Sequence, residues 1–383
     1  MVSTKRVERM LLKRTQEPSP NSSSSSIVHR KEAKPIVIDG RSKIASVAFL
    51  ADGRHVVSGS SEGKIRRWRI QDGKEVGAPM DAGSAVLNIA VSRDGKVIVS
   101  GAESGLVMVL DAESHSKVIE FKAHRDWVRA IDVSPDATKI ATGSDDFTVC
   151  IWSLLTGERL LRPWTHKHWV VAAKFSPDGH LIATVALIGS IQVYDSQSGN
   201  LLIEFPVKVY STFNQSLAWA SDSKQLFALS PDGYIHHVDV LAKTTLSKWH
   251  IHSSDKPMSI AIASNGTFIA ASAHSSVSFW DTRTREQIGT VIEYTHSVGS
   301  MAMSSNYDLV TGGEKGITLR ALCDILPPHY YSVIELQTAL LAIADPPLQE
   351  VHHTEVEKVE DNPSTFICTL IPVSDIHDHQ TKE

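Results

Sequence analysis

Short apolar runs alternate with polar turns along most of this chain, and one type of turn recurs seven times. It carries Asp or Asn between two strand-like runs, as in FSPDGHLIATVA (175–186). The turn positions are Asp52, Asp94, Asp136, Asp178, Asp222, Asn265 and Asn306, at separations of 42, 42, 42, 44, 43 and 41 residues. Self-similarity at this period is typical of a propeller of four-stranded blades. The sequence therefore predicts an all-β fold, a seven-bladed β-propeller with antiparallel blades.

The third repeat shows the pattern of one blade most clearly. Strands are predicted at 128–133, 138–144 and 147–153, and the outer strand is expected to start within LLTGERLL (154–161). The last repeat ends at GITLRALC (316–323) after three strands, whereas PIVI (35–38) is a spare strand before the first repeat. We expect residues 35–38 to pair antiparallel with 317–322 and to close the ring, which would protect both edges.

Four segments follow from this pattern. Residues 1–33 are basic and Ser-rich and are expected to be disordered, and residues 34–323 form the propeller. Residues 324–348 form a linker with a short amphipathic helix at 333–344, which an S-x-x-E capping pattern starts and Asp345-Pro346-Pro347 ends. That helix either packs on the propeller or docks a partner. Residues 349–383 are an acidic tail, also expected to be disordered.

Charge and cysteine content narrow the class of protein. The chain has 38 Lys and Arg against 43 Asp and Glu, and the repeat region is neutral, which disfavours a nucleic-acid binder. Three cysteines at long spacing predict no disulfide framework, so an intracellular, reducing location is expected, cytoplasmic or alternatively nuclear. No secretory signal and no apolar run long enough to span a membrane is expected.

The sequences IATGSDDFTVCIWSLLTGE (140–158), VYDSQSG (193–199) and FWDTRT (279–284) resemble WD repeats, named for a Trp-Asp pair that ends the third strand. DGKEVGAPM (72–80) resembles repeats of divergent fungal WD-repeat proteins. The resemblance covers about 290 residues. It implies a buried relay of His, Ser or Thr, Asp and Trp inside a blade, which in blade three would consist of His124, Thr142, Asp146 and Trp152.

The other blades depart from this relay. Blade one keeps Ser58 and Trp68 but has Glu62 for Asp and Gly40 for His. Blade four keeps His166 and Thr184 but has Ile188 for Asp and Tyr194 for Trp. Blade six keeps only Trp280, and blades two, five and seven lack the Trp.

Catalysis and metal binding receive little support from the sequence. The relay places a His, a hydroxyl and an Asp together, but in the family these groups lie between strands, away from substrate, and a catalytic hydroxyl needs exposure and an oxyanion site. His236 and His237 are adjacent on a strand and point to opposite faces, so they cannot chelate together. We therefore predict no enzyme activity, no metal and no cofactor.

A partner site is predicted where the inner strands begin. In each repeat, the position nine residues before the turn lies at the entry to the inner strand. Three consecutive repeats carry an aromatic residue at this position, and two of these repeats also carry a cation two residues before the aromatic residue. The candidate binding residues are Trp127, Trp169, Phe213, Arg125, Lys167 and Lys256. Aromatic anchors with Arg nearby are the composition of a protein-binding hot spot. The alternative is that these aromatic residues only cover the strand starts.

The resulting functional prediction is a protein–protein interaction scaffold that binds a protein or peptide through its loop faces. A reader of modified peptides or nucleic acid is one alternative, and a propeller hydrolase is another. Neither the partner nor the pathway follows from the sequence.

Overall fold

The fold is given by a computed structural model that describes residues 34–209, 216–230, 232–251, 257–306 and 308–330. Its strands, numbered in chain order, form seven antiparallel sheets of four strands within these residues. Strand β1 is Ile36–Ile38. Blade one contains β2 to β5: Ile44–Phe49, His55–Ser60, Lys64–Arg69 and Met80–Asp81. Blade two contains β6 to β9: Val86–Val91, Val97–Ala102, Leu106–Asp111 and Lys117–Lys122. Blade three contains β10 to β13: Val128–Val133, Lys139–Ser144, Thr148–Ser153 and Trp164–Thr165.

The remaining blades repeat this order. Blade four contains β14 to β17: Val170–Phe175, Leu181–Ala186, Gly189–Asp195 and Leu201–Val209. Blade five contains β18 to β21: Leu217–Trp219, Gln225–Leu229, Tyr234–Asp239 and Thr244–His250. Blade six contains β22 to β25: Pro257–Ile262, Phe268–Ala273, Ser276–Asp281 and Gln287–Glu293. Blade seven contains β26 to β28: Val298–Met303, Asp308–Gly313 and Gly316–Ala321. Two 3-10 turns follow in the described part of the chain, at Leu322–Asp324 and Pro328–Tyr330.

The predicted ring closure is confirmed. β1 pairs antiparallel with β28 through Ile36↔Leu319, Val37↔Thr318 and Ile38↔Ile317. The strand that opens the propeller is therefore the outer strand of its last blade. The two ends of the repeat array share one sheet, so β1 covers the edge of β28 that would otherwise be open at the seam of the ring.

The recurring turns explain why Asp or Asn is needed at the repeat positions. Asp136 Oδ1 accepts the backbone N–H of Thr138 at 3.1 Å, and the intervening Ala137 has a positive φ of 54°. The equivalent turns after Asp52, Asp94, Asp178, Asp222 and Asn265 have the same bond to the residue two positions later. A short side chain that closes on its own backbone fixes the hairpin between the first two strands of a blade.

The outer strand of blade three differs from the prediction. Residues 154–161 hold a turn and a single bridge, Trp152↔Arg159, and the strand itself is Trp164–Thr165. Blade one has an equally short outer strand, Met80–Asp81. In both blades the strand begins directly after a proline, Pro79 or Pro163, which cannot donate to a sheet ladder.

The core is divided among the contacts between neighbouring blades. Seven buried clusters are present in the described residues, and each one joins two successive blades, including blade seven with blade one. Leu322, Leu326 and Tyr330 extend the cluster of blades six and seven, so packing continues beyond the last strand. The helix predicted at 333–344 lies outside the described residues. None of the helical segments in the described part has the length and hydropathy that a bilayer crossing requires.

Candidate functional site

The face of the propeller on which the inner strands begin holds the candidate partner residues. Within a blade, successive strands run in opposite directions, so the start of the first strand and the turn between the second and third strands lie on the same face. In blade three these are Trp127 and the turn Asp145–Phe147, and the backbone N–H of Asp145 donates to the Trp127 carbonyl at 3.0 Å. We call this side of the ring the strand-start face.

The two tryptophans predicted for this face are half-exposed neighbours. Trp127 is 38% exposed and Trp169 is 40% exposed. Between them lies a residue that the sequence analysis missed: the guanidinium carbon of Arg129 is 4.9 Å from the ring centre of Trp127 and 5.3 Å from that of Trp169. Cation–π contacts of this kind attract the guanidinium to both indole rings. The structure thus joins two blades in one aromatic site.

Arg129 reaches this position because the strand is irregular there. The register of β10 and β11 shifts between Val128↔Ser144 and Ala130↔Gly143, which makes Arg129 the extra residue of a β-bulge. A bulge re-aims the side chain of its extra residue. The carboxylate of Asp145 then fixes the guanidinium in a two-point ion pair, with 2.8 Å between Nη2 and Oδ2. Strict alternation along a regular strand would not have predicted this orientation.

The two cations predicted beside the tryptophans are available to a partner. Arg125 and Lys167 are exposed, and neither side chain forms an ion pair with another described residue. Only the backbone N–H of Arg125 is engaged, by Asp146 at 3.1 Å. Phe213 and Lys256, the other two predicted binding residues, lie outside the described residues. The structure therefore brings together the part of the predicted arc that belongs to blades three and four.

The four side chains proposed as a relay in blade three lie in hydrogen-bond contact. His124 Nε2 is 2.7 Å from Thr142 Oγ1, and Trp152 Nε1 donates to the same oxygen at 2.8 Å. On its other side, His124 Nδ1 is 3.0 Å from Asp146 Oδ2. Burial would raise the pKa of Asp146, but hydrogen bonds from His124 and Thr148 hold it well below the usual range. His124, Thr142 and Trp152 are buried between strands and Asp146 is bonded to His124, so the four side chains are engaged with one another.

Blades one, four and six keep only some of the four relay residues, as the sequence indicated. In blade one, Trp68 Nε1 donates to Ser58 Oγ at 2.8 Å, and Glu62 pairs with Arg66 instead. In blade four, His166 Nε2 is 3.2 Å from Thr184 Oγ1. Burial lowers the pKa of His166 to about 4, so this imidazole is neutral at pH 7. In blade six, Trp280 Nε1 donates to Ser278 Oγ at 2.8 Å.

The inner strands of the blades line the central channel of the ring. A cavity of about 400 Å³ lies among the inner strands, lined mainly by apolar side chains such as Phe49, Phe175 and Met303. Its charged lining, among the described residues, is the pair Asp132 and Lys174, whose Oδ1 and Nζ are 3.1 Å apart. Asp132 Oδ2 also accepts the backbone N–H of Phe175 at 2.8 Å, which links blade three to blade four. The Asp132–Lys174 pair therefore stabilises the packing of blade three against blade four.

The adjacent histidines of blade five are used separately. His237 stacks on Phe227 with ring centres 4.4 Å apart, and its Nε2 is 2.7 Å from Gln225 Oε1. His236 Nε2 is instead 3.2 Å from Ser230 Oγ. Within the described ranges, no group of three or more His, Cys, Asp or Glu side chains is placed to hold a metal ion.

A closed ring of four-stranded antiparallel blades defines the class of protein as a β-propeller. Residues 35–69 and 115–153 match the family model described as WD domain, G-beta repeat. The chain is a seven-bladed β-propeller that contains WD repeats. Each matched segment starts at an outer strand and runs through three strands of the next blade, so the sequence repeat is offset from the structural blade by one strand. No curated protein matches the chain significantly. WD-repeat propellers are generally non-catalytic scaffolds for protein interactions.

Proposed function

We propose that this propeller is a non-catalytic scaffold that binds a protein or peptide partner through its strand-start face at blades three and four. The observation that carries the proposal is the pair of half-exposed tryptophans, Trp127 and Trp169, held on either side of Arg129. Rigid aromatic anchors beside Arg are enriched in interface hot spots, because they bury a large area on binding with little loss of conformational freedom.

The charges around the site support a protein partner over a nucleic acid. Arg129 is neutralised by Asp145, and Arg125 and Lys167 beside the tryptophans form no ion pair with any residue that the structure describes. This is too little positive charge for a phosphate-tracking surface, which uses many Lys and Arg contacts. An intracellular location is part of the proposal, since the free thiol of the buried Cys150 suits a reducing compartment.

The test is affinity capture with the tagged full chain and with the double variant Trp127→Ala/Trp169→Ala. We expect the double variant to lose the captured partner while its melting temperature stays close to that of the wild type, because both side chains are half-exposed. Arg129→Ala is a poorer choice, since it would leave the carboxylate of Asp145 buried without its partner.

The matched control is Leu155→Ala/Leu241→Ala, which removes two exposed apolar side chains from turns on the opposite face. This control should capture the partner as the wild type does. Capture that persists in the tryptophan variant would contradict the proposed site. A titration of binding against salt adds a check on the partner class, because a nucleic acid would give a steep loss of affinity.

A further inference from the structure

The strand-start face carries more exposed apolar surface at blades three and four than the predicted tryptophans account for. Phe147 is 43% exposed in the turn of blade three, and Ile188 is 42% exposed in the turn of blade four. The other large apolar side chains that are exposed in the described part of the chain lie on outer strands or on the connections that lead to them. We call Trp127, Phe147, Trp169 and Ile188 the apolar patch.

The patch is continuous. Arg129 joins the two indoles, and the ring of Phe147 meets His168, next to Trp169, at 6.4 Å between centres. The backbone N–H of Leu187, beside Ile188, donates to the Trp169 carbonyl at 2.8 Å.

Phe147 occupies its position at a conformational cost. Its φ is 71°, in the left-handed region, and blades one, two and five have Gly63, Gly105 and Gly233 at the same place with φ of 78°, 76° and 83°. Bulky residues rarely adopt this conformation, and those that do are concentrated at functional sites. The exposed ring gains little burial in return, so packing within the propeller does not explain the choice of Phe.

Ile188, in the turn of the neighbouring blade, is a second residue that departs from the pattern of the repeat. It stands where blade three has the carboxylate of Asp146, which is bonded to His124. Among the described residues, no carboxylate forms a hydrogen bond with His166 of blade four, and this blade exposes an isoleucine at the turn. Two unfavourable choices in neighbouring turns, both adding apolar surface to the same face, indicate selection for binding.

The charged side chains that border the apolar patch indicate the chemistry of the partner it binds. Asp145 is paired with Arg129, and Asp146 is bonded to His124 and Thr148. The exposed Asp126 accepts the backbone N–H of Trp127 at 2.8 Å. Arg125 and Lys167 have no ion-pair partner among the described residues, so two exposed cations face an incoming chain, beside the exposed carboxylate of Asp126.

On this basis, and resting on the proposed function, we propose that the apolar patch binds an acidic peptide segment with an aliphatic or aromatic anchor side chain. The anchor contacts Phe147, Ile188 and the two tryptophans, and flanking Asp or Glu side chains pair with Arg125 and Lys167. Phe147 is a specificity residue that the WD-repeat fold itself does not require.

The probe is a random 12-residue peptide display library selected on the immobilised full chain. The enriched peptides are expected to share an apolar residue flanked by Asp or Glu. Individual synthetic peptides from that set should bind about tenfold or more weakly to Phe147→Gly than to the wild type, as removal of an interface anchor does. Their affinity should also fall as salt is raised, because salt screens exposed ion pairs. Leu155→Ala, in the same blade but outside the patch, is the matched control and should bind normally.

Thermal melting separates binding from folding. Phe147→Gly should melt at the same temperature as the wild type or higher, since glycine suits the left-handed position. A lower melting temperature would show that Phe147 is needed for the fold, and would overturn the inference. A failure to enrich peptides, enrichment of peptides without acidic residues, or equal binding to Phe147→Gly would also overturn it. If the tryptophan double variant still loses its captured protein in that case, the proposed function stands and only this inference falls.

Discussion

At the scale of single residues, His124 is a buried polar group that has hydrogen-bond partners on both sides of its ring. Its two ring nitrogens contact Thr142 and Asp146, and the same threonine oxygen accepts from Trp152. We expect His124→Ala to lower the free energy of unfolding by about 1–3 kcal/mol, because it leaves buried polar groups without their partner. Urea unfolding would measure the change.

Leu155→Ala, at an exposed turn of the same blade, is the control and should change the free energy of unfolding by less than about 0.5 kcal/mol. Equal stability of His124→Ala and the wild type would show that these hydrogen bonds do not support the blade.

His166 gives blade four a dependence on pH. Its pKa is lowered by burial from 6.5 to about 4, so the folded state resists protonation. A lowered folded-state pKa contributes stability that is present above pH 6.5 and is lost as the pH falls towards 4. The stability advantage of the wild type over His166→Gln should therefore shrink by up to about 3 kcal/mol between pH 7 and pH 4.

Stability must be compared between the wild type and His166→Gln, because the titration of Asp308 changes the stability of both with pH in the opposite direction. Burial raises the pKa of Asp308 to about 6, so its contribution to stability is present at low pH and is lost as the pH rises through 6. Asp308 is in blade seven, and its effect cancels in the difference between wild type and His166→Gln. A difference that does not change with pH, measured by chemical denaturation at each pH, would rule out the lowered pKa of His166.

The residues that sequence reasoning found are those whose role depends on a repeated position. Asp136, His124 and Trp127 could be located by counting from one turn to the next. Arg129 could not, because the bulge recurs at the start of the inner strand in six blades but holds a different type of residue in most of them, so no sequence pattern marks it. The sequence predicts Phe147 to be the first residue of a strand, since an apolar residue after Asp145-Asp146 does not reveal a left-handed backbone.

At the scale of elements, β1 shows how three residues can close a ring. Ile38 is 5% exposed and packs with Ile44 and Trp68 of blade one, whereas its neighbour Val37 is 66% exposed. We expect Ile38→Ala to cost about 2–4 kcal/mol of unfolding free energy, as large-to-small changes in a core do. Val37→Ala, on the same strand, should cost less than about 0.5 kcal/mol.

The pair of variants separates side-chain packing from strand pairing, because both keep the backbone of β1. If both variants were as stable as the wild type, the contact between β1 and blade one would contribute little. Similar losses in both would instead point to a weakened β1–β28 pairing.

The sequence predicted the inner three strands of each blade better than the fourth. Inner strands are bounded by turns with Asp, Asn or Gly, which the chain repeats at fixed spacing. The outer strands of blades one and three instead depend on where Pro79 and Pro163 allow pairing to start, so their position could not be derived from the period.

At the scale of the whole molecule, each buried cluster in the described part of the propeller is shared by two blades. Each buried cluster is completed by the next blade, and the cluster that contains Ile38, Ile44 and Leu319 joins the last blade to the first. The period of the turns was enough to predict the ring, because only a closed arrangement gives every repeat two equivalent neighbours. The sharing of the cores could not be read from the period, since it depends on which strand faces pack together.

This arrangement predicts that the ring cannot lose a blade as an open repeat array can. A variant that lacks residues 1–81 has neither β1 nor blade one, so half of one cluster is exposed on blade two and half of another on blade seven. In a linear array, neighbouring units keep their contacts when a terminal repeat is removed. Here we expect the truncated chain to lose the sharp thermal transition of the wild type and to aggregate through the exposed strand β28. Calorimetry would measure the transition and light scattering the aggregation.

A variant that lacks only residues 1–33 is the control and should melt as the wild type does, because the ring closure uses residues 36–38. A truncated chain that unfolds in one transition near the wild-type temperature would show that six blades suffice and that the shared cores are not required for cooperativity.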